Sequence, residues 1–193
     1  MPRPARHDRD SLLDAAVALT AARGPAAVSM AEVGRVAGAP SGSVYHRFPS
    51  RAALLADLRL RTIGRFHEGF VAAMQEEDPV DAAAAAAGYV VEWSRTHPDE
   101  ASVLLYSAAD FAADSWPDEA RARQKEHRGE LEGALGDLGR RLGLRGRDGR
   151  ERLLVATVDL PYAVVRRHLR AATPIPDNAV RLVSVTARLL LSE

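Results

Sequence analysis

Polar side chains whose spacing suggests a shared task crowd into Val28–Leu55. They are hydroxyls at Ser29, Ser41, Ser43 and Tyr45, an imidazole at His46 and a guanidinium at Arg51, with Gly42 among them. Such groups donate and accept hydrogen bonds and attract anions; they point to recognition rather than bond breaking. The rest of the chain supplies little catalytic chemistry. It has no Gly-x-Ser-x-Gly elbow, phosphate-binding loop or His-Glu-x-x-His zinc motif. With Cys 0, disulfides, thiolate catalysis and cysteine-based zinc sites are excluded. Its six histidines never fall three or four residues apart, so no helix carries a ready-made metal site. The expectation is a protein that is not an enzyme and needs no metal or cofactor.

These groups must be held by helices. Hydrophobic residues make up 47% of the 193 and aromatics 5%, and the apolar content is mainly Ala, Leu and Val, which suits close-packed helices and predicts an all-α fold. Apolar residues recur at spacings of three and four from Asp10 to Arg23, and Gly24 stops that first helix. Ser29-Met30-Ala31-Glu32 has the capping-box form, so a second helix starts there and ends near Gly38. A short third helix, Ser41 to Phe48, ends where Pro49 withdraws a backbone donor. Two short helices around a glycine-containing turn make a helix-turn-helix. A fourth helix from Arg51 to about Glu77 carries Leu55, Leu58, Thr62, Phe66, Phe70 and Met74 as one stripe.

The sequence VSMAEVGRVAGAPSGSVYHRFPSRAALL, Val28 to Leu55, resembles the DNA-binding signature of the TetR family. The likeness rests on Ser29, Val33, Ala37-Gly38, Gly42-Ser43, Tyr45, Phe48-Pro49, Arg51 and Leu54-Leu55, and is strong over about residues 9 to 58. It implies a ligand-responsive regulator, commonly a repressor, that binds a palindromic double-stranded DNA operator as a homodimer. The residue types fit that role. A helix entering a major groove about 12 Å wide needs small residues where backbone meets base edges, here Gly42 and Ser43 with Ser41 before them. Tyr45 and His46 can reach phosphate oxygens from the helix shoulder, and Arg51 and the Ser29-capped helix end can clamp them. Residues 1–70 carry ten Arg against six Asp or Glu, a charge of +4 that the remainder cancels. The family usually has an aromatic at Thr20, Ser at Pro40 and Lys or Arg at Ser41, so its sequence preference does not transfer.

Beyond the signature, prolines and glycines punctuate five further helices. These are Asp81 to Thr96, one starting at His97-Pro98, one after Trp116-Pro117 that Gly129, Gly133, Gly136 and Gly139 could break, Arg150 to Ala171 bent at Pro161, and one capped by Asp177 that runs to Leu191. About nine helices divide into a DNA-binding domain at 1–50 and a regulatory and dimerisation domain at 51–193, linked by helix four at 51–77. The resemblance places the dimer interface on the last two helices, where Leu154, Val158, Val165, Val180, Val183, Ala187 and Leu190 form apolar stripes. Tyr89, Trp93, Tyr106, Phe111 and Tyr162 converge from different helices and are candidates to line a site for a small apolar effector. No window reaches the roughly 18 apolar residues of a membrane span, and no apolar segment follows the charged N-terminus, which predicts a cytoplasmic protein with no membrane partner.

Overall fold

A computed structural model describes residues 8–192, with Ser41 described in its backbone only. Among the described residues there are helices and no strands. Helix α1 (Arg9–Arg23) begins where the Asp8 carboxylate accepts the Ser11 N–H at 2.8 Å, and ends at Gly24, whose φ of 79° suits glycine. After a 3₁₀ turn at Pro25–Ala27 comes α2 (Met30–Ala37). Ser29 Oγ accepts the Glu32 N–H at 3.2 Å, which is one half of the capping box. The expected return bond is replaced: the Glu32 carboxylate pairs with Arg23 at 2.7 Å and with Arg35 at 3.0 Å. Those two guanidiniums, Arg35 first, pull its carboxyl down to about 2. Gly38 closes α2 in the left-handed region, and α3 (Ser41–Arg47) follows after Ala39 and Pro40.

Helix α4 (Arg51–Ala73) stops short of the expected Glu77. Arg141, far along the chain, donates to the carbonyls of Met74 (2.8 Å), Glu76 and Glu77 (3.1 Å), and so satisfies acceptors that a longer helix would have used itself. Asp78 caps α5 (Pro79–Thr96), accepting from both Val80 and Asp81 at 2.8 Å, so α5 starts two residues before the expected Asp81. The chain continues through α6 (Pro98–Leu104), 3₁₀ turns at Ala109–Phe111 and Ala113–Ser115, and α7 (Asp118–Arg141). Despite its glycines, α7 is unbroken. Helix α8 comprises Gly146–Leu154, a π-helical turn Val155–Asp159 and Leu160–Arg170. The expected disturbance at Pro161 takes this form: proline cannot donate to the preceding turn, and the widened turn closes through the Leu160 N–H on Val155 O. Helix α9 (Asn178–Leu191) lacks the expected Asp177 side-chain cap, because that carboxylate binds Arg95 at 2.8 Å.

The chain forms two compact units. The first takes residues through Ile63 together with Asp99–Lys125, so it reaches well past the boundary expected after residue 50. Leu12, Leu19, Val28, Val44, Phe48, Leu54 and Leu58 share its core with Val103, Phe111 and Trp116. Each fully buried side chain of this size contributes about 1.5–3 kcal/mol. The second unit takes Gly64–Pro98 and Glu126–Glu193. There α5 lies along α9, and the alanine run explains how closely. Ala82, Ala83, Ala86 and Ala87 are buried, Ser184 Oγ donates to Ala84 O at 2.9 Å, and a Cβ at Gly88 would come within 2.7 Å of Ser184 Oγ.

Candidate nucleic-acid interface

Helix α3 is anchored from beneath by Val44 and Phe48, both fully buried. The face opposite them is outward: Tyr45 is 60% exposed, and Gly42 and His46 are exposed. Among the described residues, apart from its chain neighbours and its own helix backbone, nothing lies within 4 Å of where a Gly42 Cβ would stand, so their packing does not demand glycine there. Smallness at Gly42 instead leaves room for something outside. Ser43 is half-buried. The Ser41 side chain lies outside the described residues.

Arg51 and Ser29 also have tasks within the chain. The Arg51 guanidinium donates to Val28 O at 2.6 Å, Pro25 O at 3.1 Å and Ala26 O at 3.4 Å, tying the turn before α2 to the start of α4. Ser29 Oγ is taken by its cap. These residues build the scaffold of the helix pair. Several arginines of the first 70 residues are likewise paired. Arg61 holds Asp10 (3.1 Å) and Asp14 (2.7 Å), and Arg9 and Arg123 (2.6 Å) converge on the buried Asp57. Spacing could not reveal these pairs, because the partners lie up to 66 residues apart.

The five candidate effector residues separate. Tyr106 and Phe111 belong to the first unit, rings 6.4 Å apart; Phe111 is fully buried and Arg59 lies 5.3 Å over it. Tyr89 and Trp93 join Phe66 in the second unit, at centroid distances of 5.7 and 5.2 Å from it. Tyr89 lies so close over Gly69 that any Cβ there would collide with its ring, and burial, then Glu68, raises its phenol pKa. Tyr162 lies beneath Arg166 at 5.7 Å. A cleft of about 150 Å³ opens between α7 and α8, floored by Leu135, Leu144, Leu153 and Leu154 with Arg140 and Arg150 beside it. None of the five aromatics lines it.

The structure also corrects part of the expected dimer face. Val165, Val183 and Ala187 are buried in the chain's own core, because they point at α5. Val158, Val180 and Leu190 are partly buried against the same core, as is Leu154 at the cleft. The apolar residues left outward on α9 are Leu182 (51% exposed), Val185 (43%) and Leu189 (71%), at i, i+3 and i+7, with Leu160 on α8.

Sequence spacing also missed a pair of histidines. His67 on α4 and His127 on α7 approach to 6.2 Å between ring centroids. Burial, then the neighbouring His127, pushes the His67 pKa down to about 4, and its Nδ1 is buried without a partner. A base with a lowered folded pKa takes its proton preferentially in the unfolded chain. Stability is therefore complete above about pH 6.5 and falls as pH drops toward 4. The loss expected from this group is on the order of 1 kcal/mol, given its partial solvent access. Thermal melts at pH 7.5 and 5.0 should show His67→Gln losing less stability on acidification than the wild type. An identical pH dependence in the two proteins would refute the assignment. Among the described residues no three His, Asp or Glu side chains gather closely enough to hold a metal.

Residues 12–58 match the sequence profile of bacterial regulatory proteins of the tetR family. No curated protein matches the chain. Among solved structures it is similar to a TetR family transcription regulator from Marinobacter aquaeolei VT8, with TM-score 0.73, 18% identity, and coverage of 95% of this chain and 94% of that one. A TetR-like transcriptional regulator from Rhodococcus sp. RHA1 gives TM-score 0.71 and 19% identity, covering 97% and 96%. The transcriptional regulator FadR from Bacillus subtilis, in complex with stearoyl-CoA, gives 0.69 and 18%, covering 96% and 98%. At these identities the structural likeness is one of fold.

Proposed function

We propose that this chain, a member of the TetR family of bacterial regulatory proteins, is a ligand-responsive repressor that binds a palindromic operator as a homodimer in the cytoplasm. The observation that carries the reading is α3: buried Val44 and Phe48 fix a helix whose outward face is Gly42, Ser43, Tyr45 and His46, within the residues that match the family. Small residues admit the backbone to base edges, while Tyr45 and His46 have the reach for phosphates. The first unit supplies DNA binding and the second carries effector sensing and dimerisation. The exposed row Leu182, Val185 and Leu189 supports pairing through α8 and α9, since two such rows related by a two-fold axis bury each other in a four-helix bundle.

For the effector, Phe66, Tyr89 and Trp93 of the second unit are the favoured contacts, and a small, largely apolar molecule is the favoured class. That FadR from Bacillus subtilis holds stearoyl-CoA supports an acyl chain as a first probe. A tenfold release from DNA needs about 1.4 kcal/mol of preference for the non-binding state.

A mobility-shift titration at fixed salt against the chain's own promoter region tests the reading. Tyr45→Ala is expected to weaken binding by roughly tenfold on all sequences alike, as a lost phosphate contact does. Stearoyl-CoA added to the wild-type complex then probes release. Equal wild-type affinity for promoter and random DNA would overturn the assignment.

A further inference from the structure

Arg47 occupies the last turn of α3 and points back along it. Its Nη1 donates to Ser43 Oγ at 2.7 Å and to Ser43 O at 3.2 Å. A guanidinium has donors only, so the Ser43 hydroxyl enters this bond as an acceptor. Among the described residues that hydroxyl donates to nothing in the chain, although a helical serine commonly gives its proton to the carbonyl four residues earlier. The Asp8 carboxyl that caps α1 lies below the usual carboxylate range through the Ser11 N–H first, with the Arg47 charge contributing. The Arg47 side chain is half-buried, whereas Tyr45 is exposed.

We propose that Arg47 is a positioning residue that biases Ser43 toward donating into the major groove, so a base that offers an acceptor is preferred opposite Ser43. The inference rests on the DNA-binding reading above and deepens it. A free serine hydroxyl reads bases ambiguously, since it can rotate to donate or to accept. With one of its two lone pairs occupied by the guanidinium, the hydroxyl has lost half its accepting capacity while its proton stays free to donate. Guanine and adenine present N7, guanine also O6, and thymine O4, whereas cytosine presents its N4 amino donor. Cytosine, which needs an acceptor, is thereby disfavoured on the strand being read.

The test is selection from a randomised duplex pool followed by affinity measurement, using full-length wild type, Arg47→Met, Ser43→Ala, the double variant and Arg47→Lys. Wild type is expected to select against cytosine at one position of each half-site, and installing cytosine there should weaken binding roughly fivefold or more, the scale of one mismatched pair. Arg47→Met and Ser43→Ala should both tolerate cytosine at that same position, and the double variant should add nothing further. Arg47→Lys, which keeps a donor to Ser43, should restore selection against cytosine in a folded protein. Uniform weakening by Arg47→Met with cytosine still disfavoured would mean that Arg47 serves a phosphate, and would overturn the inference alone. Changes at two different positions for the two single variants would do the same. No enrichment by wild type would overturn the DNA-binding reading and this inference with it.

Discussion

Leu182→Glu combined with Leu189→Glu is expected to hold the chain as a 20.8 kDa monomer and to weaken operator binding by about a hundredfold or more. Both side chains are outward on α9, so a glutamate at either position costs the isolated chain little, within about 0.5 kcal/mol. In a two-fold interface the same carboxylates would be buried without counter-ions, and near an axis they would meet their own symmetry mates. A paired protein places its second recognition helix at an effective concentration set by the first, and losing that advantage is the source of the hundredfold. Light scattering at micromolar concentration and a mobility shift read the two effects. Val183→Glu is the contrasting control: one position along, that side chain is 6% exposed against α5, so its substitution should melt the second unit rather than only dissociate a dimer. A double variant that remains dimeric would remove α9 from the interface.

The contrast between Leu182 and Val183 shows where sequence reading stops. Helix starts and stops were legible because their causes are local: Ser29 caps its own helix, Gly24 and Gly38 take positive φ, and Pro49 forbids continuation. The nine helices among the described residues and the outward face of α3 follow from such signals. The register of α9 does not, because it is apolar around more than half its circumference, and only the position of α5 decides which row is core. The same holds wherever a distant group intervenes. Arg141 sets the end of α4, Arg95 takes Asp177 from its cap, and the carbonyls before α2 claim Arg51. Among the aromatics, side-chain type alone could not separate Tyr106 and Phe111 from Tyr89 and Trp93, whose division follows the chain's return to the first unit at Asp99–Lys125. Arg47 escaped notice because its partner is a serine one turn away, a spacing that says nothing until the side chain's direction is known.

That return makes the second large prediction. Trp116 lies nearly seventy residues beyond the recognition helix in the chain, yet it is 1% exposed within the same core as Leu12, Val28 and Leu54. Its indole N–H is satisfied by Phe111 O at 2.8 Å, so the ring is buried without leaving a donor unpaired. Trp116→Ala removes the largest fully buried side chain. It is expected to cost about 3–5 kcal/mol, combining lost transfer energy with the cavity left behind. The Phe111 carbonyl also loses its partner, which adds to the penalty. If Asp99–Lys125 is integral to the DNA-binding unit, this change will depress the melting transition by roughly 10 °C and reduce the DNA-competent fraction on warming, although no DNA-contacting residue is touched. Melting and mobility-shift measurements at two temperatures provide the check, with Trp93→Ala as the partner experiment. Trp93 packs with Phe66 and His97 in the second unit, so its loss should lower stability while sparing DNA affinity at low temperature. Equal effects of the two substitutions on DNA binding would mean that the units do not hold their stabilities separately. An unchanged melt for Trp116→Ala would place residues 99–125 outside the DNA-binding core.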